Sequence, residues 1–154
     1  MGGPTGFNFN REVNKMAYTH TKQMVQMTDT AVLVNSTGVK GNKWTPGIIP
    51  YVVRGFAMTN TSGLTDLSAL VVNLENTVLT GPTTNVLATL KGTTAAGSGT
   101  VIFKKGLNVQ INPGEELSIN VTTAATVAAT MQFTVLMEPK WETDENITVM
   151  KATL

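Results

Sequence analysis

Hydrophobic and polar positions alternate with a period of two along much of this chain, most sharply at residues 107–121, LNVQINPGEELSINV. Leu107, Val109 and Ile111 share one parity, with Asn108 and Gln110 on the other. Past Asn112-Pro113-Gly114-Glu115 the pattern resumes, with Leu117, Ile119 and Val121 set against Ser118 and Asn120. Successive side chains of a strand point to opposite faces, so each run predicts a strand with one buried face. Proline presets φ near about −65° at the second turn position, and glycine accepts positive φ at the third. The four residues between the runs therefore predict a type II turn, and the whole stretch predicts a β-hairpin.

Elsewhere the pattern is less regular but of the same kind. Residues 21–35, TKQMVQMTDTAVLVN, predict one or two strands, and residues 36–43, with Gly38 and Gly41, a loop. Residues 48–60, IIPYVVRGFAMTN, predict a strand that Pro50 places at a beginning or an edge. Residues 67–80, LSALVVNLENTVLT, fit helix or strand; the alternation of Leu70, Val72 and Leu74 favours strand, and Gly81-Pro82 ends it. Residues 85–90 and 100–106 predict further strands, separated by the flexible loop KGTTAAGSG at 91–99. The alanines of TTAATVAAT, 122–130, would permit helix, but its threonines and flanking strands favour a loop or irregular strand. A last strand, MQFTVLME at 131–138, stops at Pro139.

Roughly eight strand candidates divided by turn signals, with little helix, predict an all-β protein. The expected fold is a single β-sandwich, most simply a jelly roll, although an immunoglobulin-like order contains similar hairpins. The sandwich is expected over residues 21–139. Residues 1–20, rich in glycine at the start, read as an extended N-terminal arm, and residues 140–154 as a short C-terminal tail.

Composition narrows the function. A chain of 154 residues with 42% hydrophobic content supports one domain with a real core. Only 14% of residues are charged, against about 25% in ordinary proteins. A surface of Thr, Asn and Ser with so little self-repulsion suits a protein that lives in an assembly. The net charge of +1 argues against a general nucleic-acid binder. Charge is uneven: Arg11, Lys15, Lys22, Lys40, Lys43 and Arg54 outnumber Glu12 and Asp29 in the first 54 residues. Glu138, Glu142, Asp144 and Glu145 outnumber Lys140 near the end. These ends are either solvated or meet neighbouring copies. The absence of cysteine removes disulfide and thiolate chemistry. The polar N-terminal stretch does not read as a signal peptide, Gly6 stands where a myristoylation site needs Ser or Thr, and no apolar run predicts a membrane span.

Candidate chemistry is sparse. His20 is the single histidine, with no carboxylate at a ligand spacing and no G-x-S-x-G elbow elsewhere. Glu115 and Glu116 are adjacent, so strand geometry sends them to opposite faces. Asp66 and Glu75 form no recognisable acid–base pair. GTTAAGSG lacks the Lys of a phosphate loop, and Lys104-Lys105 is too small for a nucleic-acid groove. Sequons at Asn35, Asn60, Asn120 and Asn146 are expected by chance in a chain this rich in Asn and Thr. No catalytic residue, metal or cofactor is expected. Aromatic residues remain: Trp44 and Trp141 either cap the core or anchor an interface, where Trp is favoured. Phe7 and Phe9 predict an arm that docks on its own domain or on a neighbour. The candidate contact residues are thus Phe7, Phe9, Arg11, Lys15 and Tyr18 on the arm, and Trp44, Arg54 and Trp141 on the sandwich and tail.

The run PYVVRGFAMTNTS, followed by GTVIFKKGLNVQINPGEELSINVTTAATVAATMQFTVLMEP, resembles the small β-sandwich decoration, or cement, proteins of tailed-phage capsids. The resemblance covers roughly residues 48–139 and lies in the strand running into TNTSG, the NPGEEL turn, the Thr/Ala-rich connection and the final strand ending at proline. It implies a structural virion protein, made in the host cytoplasm, that binds the outside of an icosahedral shell. The implied partners are the major capsid protein of the same virion and further copies of this chain as a homotrimer. Two other readings stand beside it: a glycan- or receptor-binding sandwich of a tail fibre or adhesin, and a small jelly-roll shell protein. An enzyme is the least favoured.

Overall fold

Eight strands and no helix make up residues 25–140, the part of the chain that the computed structural model describes. They are β1 (Val25–Leu33), β2 (Gly38–Trp44), β3 (Tyr51–Asn60), β4 (Val71–Val78), β5 (Thr83–Lys91), β6 (Val101–Ile111), β7 (Glu115–Thr123) and β8 (Thr130–Pro139). The expected arm, 1–20, and the tail beyond Lys140 lie outside the described residues. With them go Phe7, Phe9, Arg11, Lys15, Tyr18, His20 and Trp141.

The strands form two four-stranded antiparallel sheets, ordered β1-β8-β3-β6 and β2-β7-β4-β5. First pairs with last, second with seventh, third with sixth and fourth with fifth. The pairs β3·β8 and β4·β7 then join these couples into sheets. A long hairpin rolled up in this way is a jelly roll. Both inner faces supply the core. Phe56 and Phe133 stack at 6.3 Å between centroids, and Leu74, Leu117, Ile119 and Met131 are buried with them.

This topology corrects the hairpin expected at 107–121. The turn itself is as the sequence predicts: Glu115 N–H donates to Asn112 O at 3.1 Å, and Gly114 has φ +89°. But β6 and β7 belong to different sheets. Leu107, Val109 and Ile111 meet Leu117, Ile119 and Val121 from opposite sides of the core. Of the seven connections, only β4 to β5 stays within one sheet. A turn and two amphipathic runs are common to a hairpin and to an arch between sheets, so the local code does not choose between them.

A second correction concerns residues 36–43, expected as a loop. Most of this stretch is β2, an edge strand paired with β7. Edge strands keep few buried side chains, and here Val39 is exposed while the pairing shifts between Lys40 and Trp44. Gly38 and Gly41 have φ of +115° and +68°, so the residues that suggested a loop accommodate an irregular edge.

The connections gather at two ends. Residues 34–37, 61–70, 92–100 and 124–129 share one end, tied by Val34 N–H to Ala129 O at 3.1 Å and Thr65 N–H to Ala96 O at 2.9 Å. Residues 45–50, 79–82 and 112–114 share the other, where Leu79 N–H donates to Gly114 O at 3.0 Å.

Candidate assembly interface

The two outer faces of the sandwich differ in chemistry. On the β2-β7-β4-β5 sheet polar outward side chains pair with one another, beside the exposed Val39 and Val86. Asn120 donates to Glu75 at 2.9 Å, Thr89 to Asn73 at 2.8 Å, and Lys43 pairs with Glu116 at 3.0 Å. On the β1-β8-β3-β6 sheet, apolar groups face outward. Inward positions of β8 are Met131, Phe133, Val135 and Met137, yet Leu136, between the last two, is 39% exposed. Phe103 and Val101 on β6 are 59% and 50% exposed. Their strand partners on β3 are Ala57 and Thr59.

Val101, Phe103, Leu136 and Ala57 line a groove of about 260 Å³ whose floor is Gly55 and Ala57 and whose rim is Lys104 and Lys105. Gly55 sits at a shift in β3 pairing, where a Cβ would stand 3.5 Å from Lys104 O and 3.7 Å from the Leu136 side chain. Its missing side chain keeps the floor low. A separate polar pocket on the same sheet is lined by Val52, Arg54, Asn108, Gln110, Glu138, Pro139 and Lys140.

Of the sequence candidates, Arg54 lines this polar pocket. Its Nε donates to Glu138 Oε2 at 3.0 Å and its Nη1 to Asn108 Oδ1 at 2.9 Å. The pair is partly exposed and contributes little to stability; its effect is to fix the guanidinium between Glu138 of β8 and Asn108 of β6. Lys140 Nζ donates to Gln110 Oε1 at 2.5 Å. Trp44 is elsewhere: it ends β2, half-buried against the core, with its ring edge-on to Tyr51 at 4.9 Å. Sequence reasoning missed Phe103, Val101 and Leu136. The signal was present, because Val101-Ile102-Phe103 and Val135-Leu136-Met137 are unbroken apolar runs. In a two-layer sandwich, such a run must turn one apolar residue outward.

Titratable groups act structurally. Burial pushes the Glu115 carboxyl up, but the Asn112 N–H and the side-chain amides of Asn76 and Asn112 outweigh it and hold the carboxyl below its usual range. Asp66 is also held low, by the backbone and side chain of Ser68. Among the described residues no cluster of three His, Cys, Asp or Glu could hold a metal, and no helix is long and apolar enough to cross a membrane.

No family model and no curated protein matches the chain. Solved structures do show likeness. The capsid of Helicobacter pylori bacteriophage KHP30 gives a TM-score of 0.47 at 15% identity, over 76% of this chain and 92% of that one. The Drosophila NLP core, described for pentamer formation and histone binding, gives 0.42 at 8%, over 77% and 98%. Eiger TNF from S. frugiperda gives 0.44 at 6%, over 79% and 95%. At this distance none of them assigns an activity or a partner to this chain.

Proposed function

We propose that the protein is a non-catalytic structural component of a virion, which binds the outer surface of an icosahedral phage capsid and stabilises it. The observation that carries the reading is the apolar groove of Phe103, Val101, Leu136 and Ala57 on the outer face of the β1-β8-β3-β6 sheet. Contiguous exposed apolar surface rimmed by charge marks a protein-binding site. Covering it stabilises the contact by about 25 cal/mol for each Å² of apolar surface removed from water, before the costs of association. That is modest for one contact and sufficient when symmetry repeats it, because multivalent docking raises the effective concentration of each further contact. A homotrimer supplies such repetition. In this reading Phe7, Phe9, Arg11, Lys15 and Tyr18 reach across neighbouring capsid subunits, while Trp44 stiffens the sandwich. The major capsid protein of the same virion is the partner.

Co-sedimentation with shells assembled from that capsid protein tests the reading. The wild-type chain is expected to pellet with shells and Phe103→Glu to remain largely in the supernatant. Equal pelleting of both would remove the groove from the interface, and no pelleting of either would remove the decoration role. Light scattering with and without residues 1–20 reports whether the sandwich alone makes the trimer.

A further inference from the structure

Leu64 projects from the loop that carries the chain from β3 to β4, and it is 77% exposed. The backbone on either side of it is pinned. Gly63 O accepts from Asn60 Nδ2 at 3.2 Å and from Thr65 Oγ1 at 2.7 Å. Thr65 exchanges backbone hydrogen bonds with Ala96 at 2.9 and 2.8 Å. A large apolar side chain is therefore held outward on a fixed frame, which lowers the ordering cost of docking it. Among the described residues the loops also expose Ile48, Leu79 and Val127. Of these four, Leu64 alone has an acid within two residues, the exposed Asp66. Ser68 N–H donates to Asp66 Oδ1 at 2.9 Å and holds that carboxyl below its usual range, so it is charged at neutral pH.

The groove on the outer face of the β1-β8-β3-β6 sheet has the complementary features. Val101, Phe103 and Leu136 supply an apolar lining, and Lys104 and Lys105 stand at its rim. Its volume of about 260 Å³ is below the roughly 300–1,000 Å³ of small-molecule sites, and suits an inserted side chain better. Leu64 and Asp66 do not line the groove of their own chain.

We infer that Leu64 of one copy seats between Phe103 and Leu136 of the next copy, with Asp66 facing Lys104 and Lys105. Two different patches make this contact, so it is heterologous, and successive copies add until a ring closes. The inference deepens the proposed function and rests on it for the ring's size and purpose: three copies closed in this way are the homotrimer whose repeated contacts hold the shell.

Because the chain has no cysteine, disulfide trapping tests this on the full-length protein. Leu64→Cys and Phe103→Cys, both at exposed positions, are mixed, one of them carrying a size tag. Docking raises the effective concentration of the two thiols, so the mixed dimer is expected to form about tenfold faster than either same-variant dimer under mild oxidation. Leu64→Cys mixed with Thr89→Cys, on the opposite sheet, is expected to show no such preference. Adding Asp66→Lys to the Leu64→Cys chain should slow bridging about threefold, and Lys104→Asp/Lys105→Asp on the Phe103→Cys chain should restore it. Equal rates for mixed and same-variant dimers, equal bridging at Thr89, or no rescue by the reversed charges overturns the inference. Shell binding is scored separately on the wild-type chain. Bridging without wild-type pelleting sinks the decoration reading and leaves the contact between copies; pelleting without bridging overturns the contact and leaves the groove to the shell.

Discussion

Replacing Asn60 should damage this protein more than replacing any exposed aromatic. Asn60 ends β3, is 1% exposed, and holds two loops together at one end of the sandwich. Its amide nitrogen donates to the carbonyl oxygens of Ala96 at 2.8 Å, Gly97 at 3.1 Å and Gly63 at 3.2 Å. Its Oδ1 accepts from Ser62 N–H at 3.0 Å and from Ser62 Oγ at 2.7 Å. At roughly 0.5–1.5 kcal/mol net for each hydrogen bond, Asn60→Ala loses about 4 kcal/mol. For a chain of this size that lowers Tm by about 10 °C. Asn60→Asp keeps the shape but sets a carboxylate against three carbonyl oxygens, so it should be worse than Ala at neutral pH. The introduced carboxyl would have its folded pKa raised. Its penalty is therefore full above that raised value and fades as pH falls toward the unfolded value near about 3.9. Urea titrations of wild type and both variants, compared at matched pH between 4 and 7, measure this. An Ala variant within 1 kcal/mol of wild type, or an Asp variant whose deficit does not shrink in acid, would refute the reasoning.

Other outcomes follow from single positions. Gly92→Ala would put a Cβ 1.9 Å from Leu67 O, a backbone atom in a buried turn; a loss of about 3 kcal/mol or more is expected in thermal denaturation, and an unchanged Tm would contradict the packing there. Glu115→Gln should flatten the acid limb of the stability curve. The folded Glu115 pKa is depressed, so its contribution is present above the unfolded value near 4.5 and disappears as pH falls through the folded value. A variant and wild type that lose stability in parallel on acidification would argue against this. Ala95→Gly should raise stability by up to about 1 kcal/mol, because Ala95 holds φ +51° and glycine accepts that conformation without strain; chemical denaturation at one temperature is enough to see it.

Much of the architecture was legible because strand periodicity is local. Leu70, Val72 and Leu74 are all buried, as their alternation required, and the Pro113-Gly114 turn has its expected geometry. The two misreadings have separate causes. Whether the strand after a turn rejoins its own sheet depends on partners far away in sequence, and β7 finds β2 and β4 instead of β6. Edge strand β2 was missed because its burial is slight, leaving GVKGNKW without a core signature. The outer groove was obscured for a related reason. An apolar run looks the same in sequence whether its surplus residue meets water or a second layer, and only the two-layer stacking shows that Phe103 and Leu136 point outward.

The pairing of first strand with last has a consequence for how the protein comes to exist. Val25 sits opposite Met137, and β8 lies between β1 and β3. Until the last strand leaves the ribosome, β1 has no partner and β3 lacks a neighbour on one side. The β4–β5 hairpin can form early, but the β1-β8-β3-β6 sheet closes only after β8 has been synthesised. Such non-local pairing places folding on the millisecond-to-second scale. Growing chains crowded on one message would expose unpaired edges to each other during that interval, which is when aggregation competes. Expression yield should therefore respond more to translation rate and growth temperature than the stability of the finished sandwich would suggest.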